Sequence, residues 1–178
     1  GDQGAVTSII SDPSADPHSY EASTQNRLAL AKADLVIENG GGYDDFIDTM
    51  LAAAPNPDVA VLNVVDLSGL AATAGDELNE HVWYDFATMA KLADAIAAKL
   101  GARDAAHAAT FASNAAAFKY KLRQLQTGAA EVKRAHNGAG VAITEPVPLY
   151  LLEACGLVDK TPPEFSEAIE EGGDVSPV

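Results

Sequence analysis

The stretch Phe111-Ala112-Ser113-Asn114-Ala115-Ala116-Ala117-Phe118-Lys119-Tyr120-Lys121-Leu122-Arg123-Gln124-Leu125 decides how this chain is put together. It lies inside a longer pattern, from about Arg103 to Arg134. Along it Phe111, Ala115, Phe118, Leu122, Leu125, Ala129 and Val132 recur at steps of three and four residues. That spacing lines them along one face of an α-helix. At 1.5 Å per residue, roughly 30 residues would span about 45 Å, more than one small lobe requires. Lys133 and Arg134 suit the C-terminal end, where the helix dipole favours cations. Gly128 is the point at which the helix could be interrupted. Such a helix either joins two lobes as a stiff backbone or lies across one domain, and periodicity alone leaves both open.

Upstream of it, short apolar runs alternate with helical patterns. Val6 to Ile10, Leu35 to Ile37 and Val59 to Val65 are rich in β-branched residues and read as buried strands. Ser23 or Thr24 caps a helix from about Gln25 to Lys32. A second helix runs from about Tyr43 to Ala53 and stops before Pro55. A third runs from about Val82 to Leu100, with Gly101 suited to its C′ position. Strand–helix alternation predicts an α/β fold with parallel sheets and helices on both faces. Downstream, Val141 to Thr144 follows the Asn137-Gly138-Ala139-Gly140 turn as a fourth strand. A short helix from Leu149 to Cys155 comes next, and Thr161 to Glu171 begins another. One strand cannot make a sheet, so the second lobe reads as incomplete.

The 178 residues carry 26 acids against 11 bases, a formal net charge of −15. Such a surface repels phosphate backbones and anionic lipid and concentrates cations, so nucleic acid is not an expected partner. No stretch is long and apolar enough to span a bilayer, and no basic region followed by an apolar one opens the chain, so a signal peptide was never there or has been removed. The single cysteine, Cys155, excludes an internal disulfide and reads as a buried thiol at a helix end.

Two histidines stand in acidic, turn-forming frames: Asp16-Pro17-His18-Ser19-Tyr20-Glu21 and Asn79-Glu80-His81-Val82-Trp83-Tyr84-Asp85. Imidazole is a common ligand for divalent transition metals. A third candidate, Glu145, ends the strand that starts at Val141. All three fall at strand-to-helix junctions, the edge where open α/β sheets collect ligands. Histidine with carboxylate suits zinc, manganese or iron(II). Any one histidine taken alone is more often solvated or structural. His107, on a polar helix face, and His136, in a Gly/Asn turn, read as solvated. Asn39-Gly40-Gly41-Gly42 superficially resembles an anion cradle. It lacks a following lysine, and Asp44 and Asp45 would repel phosphate there. It reads as a tight turn whose glycines let backbone approach the cleft. Trp83 and Tyr84 are expected to pack beneath His81.

On these residues the chain resembles the zinc/manganese solute-binding proteins of ABC importers, the cluster 9 or ZnuA-like family. Asp16 to Glu21 resembles that family's first ligand motif, and Glu80 to Asp85 its second. Ala33 to Gly40 resembles its second-strand segment, and Phe111 to Leu125 the start of its interlobe helix. Thr144-Glu145-Pro146 with Tyr150 resembles its third ligand segment.

The resemblance implies two α/β lobes with parallel sheets joined by one long helix, the second lobe incomplete. Residues 1–102 would form the N-terminal lobe without its first strand and helix, 103–135 the interlobe helix, and 136–178 a partial C-terminal lobe. His18, His81 and Glu145 would be three of four ligands to a transported Zn2+ or Mn2+, with the fourth, an acid, beyond Val178. The protein would lie outside the cytoplasm, in the periplasm or lipid-anchored at the cell surface. It would pass its ion to a membrane permease and catalyse nothing. No His-rich loop lies between Leu67 and Glu80. Glu145, harder than a third histidine, tilts the choice toward manganese without excluding zinc. The competing expectation is a metal-dependent hydrolase, with Asp85 or Glu80 as general base beside an open coordination position. A structural or adhesion domain with incidental histidines is a third.

Overall fold

In a computed structural model the long helical pattern is a single helix, packed against the helix that precedes it. The structure describes residues 3–53, 56–72, 78–170, 172 and 173. Helix α4 (Phe86–Arg103) and helix α5 (Ala108–His136) meet at Asp104, whose non-helical backbone breaks the spiral, and a 3-10 turn (Ala105–His107) follows it. The long helix therefore starts at Ala108 and not near Arg103. Its 29 residues span about 44 Å, and Gly128 does not interrupt it. Gly101 does not end α4 either. A Cβ there would lie 3.2 Å from the Ala108 side chain, so its hydrogen lets α5 begin close against α4. The apolar stripe of α5 divides. Ala115, Leu122 and Ala129 are buried at seven-residue steps, whereas Phe118, Leu125 and Val132 are exposed.

Ahead of this pair, α1 (Thr24–Ala31) starts from a capping box in which Ser23 and Asn26 satisfy each other's backbone N–H groups. Strand β1 (Leu35–Glu38) pairs in parallel with β2 (Ala60–Asn63), Val36 opposite Val61. Helix α2 (Phe46–Ala53) crosses between them and joins Leu30, Val36, Ile47 and Met50 in one core cluster. Val36 is buried on one face of this sheet and Leu62 on the other, leaving Ile37 and Val61 partly open. Pro55, expected just past α2, and residues 73–77 of the segment before Glu80 lie outside the described residues.

Two expected strands are corrected. Val6 to Ile10 has no ladder partner among the described residues, and Val6 is 98% exposed. Without a partner an extended run is not a strand. Val64 and Val65 are not the end of β2. Asn63 accepts from the Asp66 N–H at 3.0 Å and starts helix α3 (Val64–Ser68) at once. That local cap overrides the β preference of two valines. The residues bury themselves instead against Val82, in a second core cluster. Val82 itself lies in a 3-10 turn (Val82–Tyr84), and α4 begins only at Phe86, capped by Asp85 on the Thr88 N–H at 2.7 Å.

Beyond α5, strand β3 is only Gly140–Val141 and not the expected run to Thr144. It is not solitary. After helix α6 (Leu149–Ala154), strand β4 (Val158–Asp159) pairs with it in parallel, Gly140 opposite Val158. Helix α7 (Pro163–Glu170) follows, and Glu171 lies outside the described residues. Cys155 is buried at the end of α6. No helix among the described residues is long and apolar enough to cross a membrane.

Candidate metal centre

His18 is held by its own turn. Asp16 Oδ1 accepts the His18 backbone N–H at 3.0 Å and lies 3.0 Å from ring Nδ1, while Ser19 Oγ donates to Asp16 Oδ2 at 2.8 Å. His81 is held the same way by an amide. Asn79 Oδ1 accepts the His81 backbone N–H at 3.1 Å and lies 2.6 Å from Nδ1. The orientation of that amide follows from Asn79 Nδ2, which donates to Pro146 O at 3.1 Å. Each ring thus has an acceptor at Nδ1, and a proton held there leaves Nε2 as the ring's atom for a ligand. A metal-ligating histidine carries this tautomer when an outer carbonyl or carboxylate fixes it.

The two rings flank Tyr43, at centroid distances of 5.1 Å for His18 and 6.0 Å for His81. Trp83 packs edge-on against His81 at 4.9 Å and, tilted, against Tyr43 at 4.9 Å. His81 is 2% exposed and the following Val82 is fully buried. The glycine turn sits behind them. Asn39 Nδ2 donates to Glu80 O at 2.8 Å, and Gly41, at φ +70°, lets backbone come so near that a Cβ would sit 3.1 Å from Glu80 Cβ. Asp44 fills the resemblance to an anion cradle itself, accepting the Asn39 and Gly40 N–H groups at 2.7 and 2.8 Å.

Carboxylates face both outward nitrogens. Glu80 Oε1 lies 3.3 Å from His18 Nε2, and Glu170 Oε1 lies 3.0 Å from His81 Nε2. One donor atom each from His18, Glu80 and Glu170 lies within 4.8 Å of the other two. Burial works against a proton on His18, but hydrogen bonds to Asp16 and Glu80, with their charges, outweigh it and raise the imidazole above its usual range. Burial holds His81 below the usual range; the charge of Glu80 opposes this, that of His18 reinforces it, and that of Glu145 opposes it. Two imidazoles and converging carboxylates are a donor set for a divalent transition ion.

Of the three residues singled out in the sequence, His18 and His81 come together around Tyr43. Glu145 lies in the bend before α6, beside Pro146, and is close enough to bias His81 electrostatically. Its carboxylate is not one of the clustered donor atoms; it lines a neighbouring open groove of about 780 Å³ with Thr144, Lys160 and Phe165. His107 is bound to Asp104 at 2.6 Å, and His136 is exposed at the end of α5. Sequence reading did not assign Glu170 to the site, because it stands 89 positions from His81 and carries no local signal. Asn79 was legible only as part of a motif. Its chemical role appears once its amide is seen to face the ring.

The family described as zinc-uptake complex component A, periplasmic, matches residues 1–177. A manganese-binding lipoprotein, MntA of Halalkalibacterium halodurans, is 26% identical over 126 residues, 71% of this chain and 41% of that protein. The solute-binding protein FpvC of Pseudomonas aeruginosa, solved in complex with Ni2+, superposes with a TM-score of 0.78 at 27% identity, over 99% of this chain and 63% of that one. Zn(II)-bound AdcA of Streptococcus pneumoniae, at 23% identity and a TM-score of 0.68, shares the fold over 83% of this chain and 32% of its own. The chain thus spans less than two thirds of the length of these relatives.

Proposed function

The chain belongs to the zinc-uptake complex component A family, and from that premise we propose that it captures a divalent transition metal outside the cytoplasm for delivery to an ABC importer permease. Zn2+ or Mn2+ is the cargo, and the protein binds it without turning anything over. His18 and His81 are ligands through Nε2, and Glu145 is a third donor, brought in from the bend that Asn79 ties to the His81 segment. The chain then divides as its sequence suggests, with residues 1–102 and 136–178 on either side of the helix. Carboxylate donors beside two imidazoles make the set harder than an all-histidine one and tilt it toward manganese.

One observation carries this reading. Two imidazoles 63 positions apart both have Nδ1 against an acceptor and Nε2 turned to a carboxylate. The test is calorimetry of Zn2+ and Mn2+ binding to the chain and to His18→Ala, His81→Ala, Glu145→Gln and His107→Ala. Binding is expected to weaken sharply in the first three and to persist in the last. Equal affinities in all four would reject the assignment.

A further inference from the structure

Glu170 is the last residue of α7, on the β3–β4 side of the chain, yet its carboxylate meets a histidine from the β1–β2 side. Three features of the structure bear on why it is there. Its Oε1 lies 3.0 Å from His81 Nε2, and one of its oxygens also lies within 4.8 Å of ligand atoms of His18 and Glu80. Donor atoms bonded to one ion at about 2.0–2.2 Å stand at most about 4.4 Å apart. The group therefore needs only a slight contraction to share a cation. The second feature is electronic. His81 Nδ1 faces Asn79 Oδ1 at 2.6 Å, so Nε2 and the Glu170 oxygen are two acceptors turned toward each other, a contact that a positive ion between them makes favourable. The third is local stiffness. α7 leaves β4 within four residues and starts at Pro163, just after Thr161, whose hydroxyl oxygen accepts the Ile143 N–H at 2.8 Å. The helix is thereby fixed at its start, with Glu170 at its far end over the histidines.

The geometry points to Glu170 as a further ligand to the cation, supplied by α7 across the two sides of the molecule, so that metal binding docks α7 onto the His81 segment. This rests on the metal-capture reading above and adds a donor to it. Glu80, immediately before His81 and facing His18 Nε2, adds negative charge beside the same ion. Glu170 adds a carboxylate oxygen to the two imidazole nitrogens of His18 and His81.

The test uses the 178-residue chain, Glu170→Gln and Glu170→Ala, with His18→Ala as reference. Three readouts are followed: affinity for Zn2+ and Mn2+ by calorimetry, the visible absorption of bound Co2+, and hydrogen exchange of residues 163–170 with and without Zn2+. The expected result is an affinity loss of at least about tenfold in both Glu170 variants, since even an outer partner of a ligand is worth that much. A changed Co2+ spectrum should accompany it. Zn2+ should slow exchange in α7 of the unaltered chain and not in Glu170→Ala. If the unaltered chain binds metal and His18→Ala weakens it, while both Glu170 variants keep its affinity and spectrum, Glu170 is no ligand and only this inference falls. If the unaltered chain binds neither metal, or His18→Ala changes nothing, the capture reading falls and this inference with it.

Discussion

Asn79 touches no cation in the proposed site, yet replacing it should cost metal affinity. Its side chain accepts from the His81 backbone N–H at 3.1 Å, faces His81 Nδ1 at 2.6 Å, and donates to Pro146 O at 3.1 Å. In Asn79→Ala the ring loses the acceptor that sets its tautomer, and with His81 only 2% exposed water is poorly placed to replace it. Losing such an outer partner typically lowers metal affinity about 10–100-fold, equivalent to about 1.4–2.8 kcal/mol. The folded state should suffer too, since each polar group left buried without a partner costs about 1–3 kcal/mol. Asn79→Asp separates the two effects. It keeps an acceptor for Nδ1 and loses the donor to Pro146, so metal affinity should stay near that of the unaltered chain while thermal stability falls. The assay is Zn2+ titration against a competing chelator, beside a melting curve for each variant. If Asn79→Ala melts lower but its dissociation constant stays within twofold, Asn79 is only a strut and the orientation argument is wrong.

Glu38 is buried at the end of β1, accepting from Asn63 Nδ2 at 3.0 Å. Burial pushes its carboxyl above the usual range; the Asn63 hydrogen bond opposes this, and the charges of Asp48, Asp44 and Asp66 reinforce it. A raised carboxyl means the folded chain holds the proton more tightly than the unfolded one, so stability is lost as pH rises from the ordinary carboxylate range through the raised value. Glu38→Gln should therefore raise the melting temperature at pH 7 and lose that advantage in acid; a constant gain at all pH values would refute the charge argument. On α5, Leu122 is buried and Leu125 is 61% exposed. Leu122→Ala should cost about 2–5 kcal/mol in chemical denaturation and Leu125→Ala less than about 0.5, and equal losses would show that the α4–α5 contact is misassigned.

Features coded by neighbours in the chain were legible beforehand. The Ser23 cap, the strand at Leu35 to Ile37, the buried Cys155 and the long helix all follow from spacings of a few residues. So do the two histidine frames, because the Asp16 and Asn79 acceptors stand two positions before the rings they hold. The errors have physical causes as well. Two valines after Asn63 look like strand until its side chain is seen to cap the next turn. Val158–Asp159 is a two-residue strand, too short for any periodicity to declare. Val6 to Ile10 has the composition of a strand, but a ladder needs a second strand beside it.

The amino-acid order alone determined where most of the helices lie, which family the motifs resemble and which rings are candidates to bind a cation. Only the tertiary structure decided which acids meet those rings. Glu170 reaches His81, and Glu145 faces an adjoining groove, through the course of α5, β4 and α7. Covalent spacing sets hydrogen bonds over a few residues, whereas a contact between residues 81 and 170 exists only through the summed packing of everything between them.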